Sequence, residues 1–175
     1  MTASVPVPPY FDLEFFLQTA GETRLDGATM DTCLALWNEW CASLVCRTVK
    51  VDNCGYLAVW LEENVEIAVD AAWEKSPSHG FLLNALAQTL CMCAVHERVP
   101  EIEEAGCAPV PMPSGELADT LIKAGLPARA GTGLELARRY AVVTRQPFGG
   151  ACEICALQLS CPRSGRSDDS MFEIG

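Results

Sequence analysis

The sequence predicts a mainly α-helical fold, a small helical domain with a cysteine-rich, metal-binding loop at its C-terminal end. Three observations indicate this fold class: apolar residues recur at helical spacing, a long uncharged segment begins with Ser-Pro, and three cysteines stand close together near the end. The chain has 175 residues, of which 50% are hydrophobic, so it suits one domain with a sizeable core. We expect a helical body over residues 1–146. Residues 147–175 are expected to form the metal-binding loop and a tail, packed on the same domain.

The first part of the chain contains two segments typical of amphipathic helices. Residues 10–19 (YFDLEFFLQT) carry apolar side chains at helical spacing and stop at Gly21. Asp26 to Thr29 offers N-cap chemistry before a second helical segment that extends to Cys46. The apolar stripe of this second segment comprises Met30, Cys33, Leu34, Trp37, Cys41, Leu44 and Val45.

Residues 48–75 are compatible with two secondary structures. The turn sequence DNCG at residues 52–55, between TVKV and YLAVWL, is typical of a β-hairpin. This hairpin, around residues 48–61, would make the fold α+β. A single helix from Tyr56 to Glu74 fits the alanine- and glutamate-rich sequence equally well. We take the helix as the prediction and the hairpin as its alternative.

The segment from residue 76 to His96 is the longest stretch without a charged side chain. Ser76 followed by Pro77 is typical of a helix start. The stretch contains proline, histidine, glycine and asparagine, so we interpret it as a buried helix rather than a membrane span. No association with a membrane is expected.

The second half of the chain is punctuated by proline and glycine. Prolines predict a connector over residues 97–113, after which Ser114 can cap a short helix that ends at Lys123. Residues 126–133 are predicted to be a loop. Residues 134–144 are predicted to be a helix, or a helix that ends in a short strand.

The cysteines indicate the cellular compartment. The chain contains ten of them, and its first nine residues, MTASVPVPP, lack the basic residues that open a secretory signal. In a reducing cytoplasm, cysteines serve as core residues, metal ligands or redox groups rather than as disulfides. The sequence therefore predicts a cytoplasmic protein. Small core residues are expected on apolar helix faces at Cys33, Cys41, Cys91 and Cys93.

The most informative motif is a C-x2-C-x5-C string near the C-terminal end. It consists of Cys152, Cys155 and Cys161, followed directly by Pro162. A C-x2-C turn brings two thiolates to one side of a bend, and a short loop can return a third. Three converging thiolates favour zinc or an iron–sulfur cluster over magnesium or calcium. The motif predicts a metal site, with unligated thiols or a redox cysteine pair as the alternatives.

The spacing of these three cysteines resembles the last three ligands of the four-iron cluster loop in the endonuclease III family of DNA glycosylases. It also looks like the C-terminal cluster of helicase-associated nucleases. The resemblance covers about ten residues. The glycosylase pattern would have its first cysteine at position 145, where this chain has Arg145. The resemblance implies a ligand spacing and no activity.

Either kind of metal site needs a fourth ligand. Cys107 is our first choice, because it lies in AGCAPVP, a non-helical segment in which a thiolate can be oriented freely. Cys54, in the DNCG turn, and then His96 are the next candidates. One compact trio with a distant single cysteine favours a [4Fe–4S] cluster, since zinc sites usually combine two separated two-cysteine knuckles. Zinc is the alternative.

Although the formal net charge of the chain is −11, the segment that contains the C-terminal cysteines is basic. Residues 123–166 hold seven basic and two acidic side chains. A nucleic-acid-associated protein or an enzyme that uses this basic face is therefore one alternative function. The arginines concerned are Arg129, Arg138, Arg139 and Arg145. The chain has no P-loop, no G-x-S-x-G and no H-E-x-x-H motif, so the sequence favours a role without catalysis.

The first functional hypothesis is a cytoplasmic protein that holds a [4Fe–4S] cluster for a structural or electron-transfer role, with a redox or protein partner. The second is a helical protein-interaction module in which a zinc ion fixes the C-terminal loop. In the second case one of the tryptophans would face the partner. The four tryptophans are Trp37, Trp40, Trp60 and Trp73.

Overall fold

The chain folds around a three-stranded antiparallel sheet with helices on both faces. This is seen in a computed structural model, which describes residues 8–105, 115–127 and 138–148. The strands are β1 (Leu44–Val51), β2 (Cys54–Leu61) and β3 (Ala141–Gln146), in the order β1-β2-β3. The helices are α1 (Leu13–Ala20), α2 (Gly27–Cys41), α3 (Glu63–Lys75), α4 (Pro77–His96), α5 (Glu101–Ala105) and α6 (Gly115–Lys123).

The prediction of a mainly α fold is wrong, and the α+β alternative with a hairpin around residues 48–61 is correct. The predicted helix from Tyr56 to Glu74 is two elements, because residues 56–61 belong to β2 and the helix begins only at Glu63. Both faces of β2 are covered, so its apolar residues form a continuous run without alternation. Such a run cannot be distinguished from a buried helix by periodicity.

Two further helix predictions extend into strands. The second helix ends at Cys41 rather than at Cys46, and residues 44–46 begin β1. In the segment 134–144, residues 141–144 belong to β3, which agrees with the short strand of the alternative prediction, while residues 134–137 lie outside the described part of the chain. β3 pairs with β2 from more than 80 residues earlier, so local sequence alone does not decide between helix and strand there.

The main core lies on the face of the sheet that carries Leu57, Val59 and Leu61. Side chains of α1, α2, α3 and α4 complete this core. The opposite face carries Ala58 and Trp60 and is covered by α6. The sheet is therefore the middle layer of the described structure.

The helix starts are partly as expected. Asp26 caps α2 as predicted, since its carboxylate accepts a hydrogen bond of 3.0 Å from the Thr29 backbone N–H. Ser76 precedes α4 as predicted but makes no side-chain capping bond. Between α4 and α6 the predicted connector contains the short helix α5.

Helix α4 is long and apolar enough to cross a membrane by length and composition alone, with a mean hydropathy of 1.2. Within the fold, 61% of the apolar window is buried, and the helix packs against α1, α3 and β2. A core helix satisfies the same criteria.

Helices α3 and α4 pack closely together at Gly80. A Cβ atom at this position would collide with the indole ring of Trp73. The ring also packs edge-on against Phe81, with ring centroids 4.4 Å apart. The absence of a side chain at Gly80 therefore sets the separation of these two helices.

This contact predicts the effect of Gly80→Ala. The added methyl group must displace Trp73, so we expect the free energy of unfolding to fall by about 1–3 kcal/mol, although alanine is the better helix former. Gly27→Ala, in α2, is the matched control, because nothing lies within 4 Å of its Cβ position. Urea unfolding of both variants checks this. Equal stabilities would contradict the close packing at Gly80.

Candidate functional site

The four predicted metal ligands, Cys107, Cys152, Cys155 and Cys161, lie outside the described residues. Within residues 8–105, 115–127 and 138–148, no group of three or more histidine, cysteine or acidic residues could hold a metal ion. The metal site predicted from the sequence is therefore not tested by the described residues.

Five of the six described cysteines pack in or against the main core. Cys33 and Cys91 are 1% and 2% exposed, which confirms their interpretation as core residues. Cys91 donates a hydrogen bond from its thiol to the Tyr140 carbonyl, 3.5 Å away. Burial raises the pKa of the Cys93 thiol to about 11. Burial also raises the pKa values of Cys33, Cys41, Cys46 and Cys91.

Cys54 has different surroundings at the open end of the sheet. It is half-buried at the first position of β2, directly after a tight turn whose two residues, Asp52 and Asn53, have positive φ values of 46° and 64°. This two-residue turn fixes the β1–β2 register. The guanidinium of Arg145, on the neighbouring strand β3, donates a hydrogen bond to the Cys54 sulfur over 3.2 Å. The two strands thereby place a cation beside a thiol.

Arg145 and Cys54 line an open groove with a volume of about 710 Å³. Lys50 and Thr48 of β1 form one side, and Phe148 contributes an aromatic ring where the chain leaves β3. Among the described residues that line this groove, two are cations and none is a carboxylate. It is an electropositive site on a chain with a formal charge of −11. We call it the hairpin groove.

Gly55 allows the backbone to approach closely at the hairpin groove. A Cβ atom there would lie 2.5 Å from the carbonyl oxygen of Gln146, its partner on β3. Only glycine lets β3 pair this closely with β2 at that position. The pairing fixes the end of β3 beside Cys54, and Pro147 and Phe148 line the groove there.

The arginines proposed as a basic face are not brought together. The Arg138 guanidinium lies 3.9 Å from the Glu62 carboxylate and 3.8 Å from that of Glu63. Arg139 donates two hydrogen bonds to Asp70, of 2.7 Å and 3.1 Å. Arg145 lies at the other end of β3. The fourth member, Arg129, lies outside the described residues.

His96, the third candidate for the remaining ligand, packs its ring against Phe15 with centroids 5.5 Å apart. The sequence analysis considered Cys54 but missed its contact with Arg145. The hairpin alternative contains the signal for this contact, because it places Cys54 at a turn. Predicting the contact would also have required recognising that β3, which carries Arg145, pairs with β2.

No family model, curated protein or solved structure matches this chain. The function must therefore be argued from the residues themselves.

The Arg139–Asp70 pair predicts a pH dependence. Hydrogen bonding from Arg139 lowers the pKa of Asp70 below its ordinary value of 3.8. The folded state therefore gains stability from this pair above that value, and the gain is lost as pH falls through the lowered pKa. Asp70→Asn should lower the urea midpoint slightly at neutral pH, and the difference from wild type should shrink at an acidic pH where Asp70 is protonated.

The control is Asp31→Asn, which removes one exposed carboxylate of α2 and leaves the Arg139–Asp70 pair intact. A constant difference between wild type and Asp70→Asn at both pH values would contradict the ion pair.

Proposed function

We propose that this protein binds a metal centre through Cys152, Cys155 and Cys161 together with a fourth cysteine. The sequence favours Cys107 for the fourth position. The observation that carries the proposal is the C-x2-C-x5-C spacing. Three thiolates at this spacing are soft donors suited to iron–sulfur clusters or zinc. The protein is proposed to act in the cytoplasm, where thiols stay reduced.

The preferred centre is a [4Fe–4S] cluster, because the donor set consists of one compact trio and a separate cysteine. When bound, such a cluster supplies one-electron transfer or a structural cross-link. A redox or protein partner would accompany the first role. Zinc bound by the same cysteines is the alternative centre, and it would supply the cross-link only.

The hairpin groove supports a metal centre near the end of β3. A centre with four thiolate ligands carries net negative charge, whether it is a [4Fe–4S] cluster or a zinc ion. Lys50 and Arg145 provide positive charge where the chain leaves the sheet at Gln146, six residues before Cys152. The surroundings therefore suit the charge of the proposed centre.

A second candidate function, a protein-interaction module with a zinc clip, is favoured by one surface feature. Trp37, Trp40 and Trp60 are at most 3% exposed and belong to the core. Trp73 is half-buried, and the neighbouring Phe81 is 62% exposed. Trp73 and Phe81 form an aromatic pair at the surface, and a partner protein would pack on this pair.

Metal analysis of anaerobically purified protein tests the first proposal. We expect about four iron atoms per chain and an absorption band at ~400 nm. Cys155→Ser should abolish both signals and expose the chain after Gln146 to limited proteolysis, because binding free energy of the metal stabilises the local fold. Circular dichroism should show that the helices persist.

Cys33→Ser is the matched control for this experiment. Its side chain is 1% exposed in the core, so serine should lower the free energy of unfolding by about 1–3 kcal/mol and leave the metal content unchanged. Stoichiometric zinc without iron would favour the zinc alternative. Wild-type protein without either metal, or Cys155→Ser with full metal content, would refute the metal-binding proposal.

A further inference from the structure

We infer that the hairpin groove binds a phosphate monoester that carries a planar ring, the chemical class of nucleoside monophosphates and aryl phosphates. The observation behind it is that two cations, polar side chains and one aromatic ring line a single groove at the end of the sheet. All of these residues belong to the described part of the chain. The inference goes beyond the proposed metal centre and does not depend on it.

The groove extends across all three strands. Lys50 of β1, Gly55 of β2 and Gln146 of β3 are direct partners in the register, and all three line the groove. Because Gly55 has no side chain, the middle of this row is bare backbone, and its two flanking strands lie about 10 Å apart. The groove volume of about 710 Å³ is in the range of small-molecule sites, which is about 300–1,000 Å³.

The two outer strands supply the positive charge. Lys50 is exposed on β1, and Arg145 is half-buried on β3. No described carboxylate pairs with either cation, and Asp52 of the hairpin turn does not line the groove. A phosphate monoester carries a charge of about −1.5 to −2 at neutral pH, so it balances two cations better than a carboxylate does.

Arg145 is oriented before a ligand binds. It pairs with Tyr56 in the sheet, and its guanidinium donates a hydrogen bond of 3.2 Å to the Cys54 sulfur. This bond uses one of the five N–H donors of a guanidinium, and the others can bind phosphate oxygens. Thr48 and Asn53 add a hydroxyl and an amide to the same groove. A side chain that is already held loses less conformational entropy when a ligand binds.

Phe148 favours a ligand that has a ring. Its side chain is half-buried and packs against the main core, so the ring is held where it lines the groove. Planar rings pack favourably on an aromatic side chain. Inorganic phosphate would leave this surface without a contact. The groove therefore suits a phosphate that is attached to a ring better than it suits a bare phosphate ion.

The extent of the positive charge favours a small molecule over a nucleic acid. Among the described residues, Arg138 and Arg139 pair with carboxylates of Glu62, Glu63 and Asp70. The formal net charge of the chain is −11. A nucleic acid requires cations along several phosphates, whereas this groove offers two cations at one place.

Titration calorimetry of the full chain tests the inference. The ligands are phenyl phosphate and adenosine monophosphate, with inorganic phosphate and adenosine for comparison. We expect both monoesters to bind at least about fivefold more tightly than inorganic phosphate, and adenosine to show no binding. Phe148→Leu should bring the Kd of phenyl phosphate close to that of inorganic phosphate.

Charge variants identify the groups that hold the phosphate. Lys50→Gln and Arg145→Gln should each raise the Kd of phenyl phosphate at least about fivefold, because each removes one cation from the groove. Arg47→Gln is the matched control, since Arg47 is an exposed cation of β1 that faces the other side of the sheet and does not line the groove. Its Kd should equal that of wild type. Circular dichroism verifies that every variant is folded.

Nuclear magnetic resonance of the wild-type chain locates the ligand without any substitution. Phenyl phosphate should shift the backbone amide signals of Lys50, Gly55 and Gln146 and leave that of Asp31 in α2 unchanged. Signals that shift elsewhere and not in this row would overturn the inference.

The remaining outcomes separate this inference from the proposed metal centre. Titrations are made on anaerobically purified protein and again after treatment with a chelator, and we expect the monoesters to bind in both. No binding in either state, or binding that Lys50→Gln and Arg145→Gln leave unchanged, overturns the inference and leaves the metal centre standing. Binding that metal loading abolishes also overturns it, because the groove then serves the metal centre. A single-stranded oligonucleotide that binds at least about tenfold more tightly than adenosine monophosphate would assign the groove to nucleic acid instead.

Discussion

The described structure depends on β2, the central strand. Leu57, Val59 and Leu61 belong to the main core, while Ala58 and Trp60 belong to the second core, which α6 covers. All five side chains are at most 2% exposed. The same strand pairs with β1 through a two-residue turn and with β3 from far along the chain. Burial on two faces and pairing on two edges leave β2 a single register, since a shift by one residue would exchange its faces.

The two ends of the sheet differ in electrostatics as a consequence of this register. At one end, where β3 begins, Arg138 and Arg139 meet the acidic first half of α3. At the other end, Lys50 and Arg145 line a groove in which no described lining residue is a carboxylate. A chain with a formal net charge of −11 thus has an electropositive groove at this end of the sheet. The position of charge, more than its total, decides which ligand charge a surface favours.

Local signals were sufficient for the helices and insufficient for the sheet. The N-cap at Asp26 and the Ser-Pro start of α4 are encoded within a few residues, so the sequence indicated both helices. β2 resembled a helix because burial on both faces removes the alternation that identifies a strand. β3 depends on a distant partner. The metal ligands could be proposed from spacing alone, whereas the contact between Arg145 and Cys54 depends on strand register, which no local pattern contains.

Burial raises the thiol pKa of five of the six described cysteines. For a thiol such as Cys93, burial raises the pKa from 9.0 to about 11. Its ionisation to the thiolate therefore requires about 3 kcal/mol more free energy than that of an ordinary thiol. Most of the described cysteines share the direction of this shift, so burial favours the protonated thiol at these positions. Cys54 lies instead at the edge of the sheet, where the hairpin turn places it beside the Arg145 guanidinium.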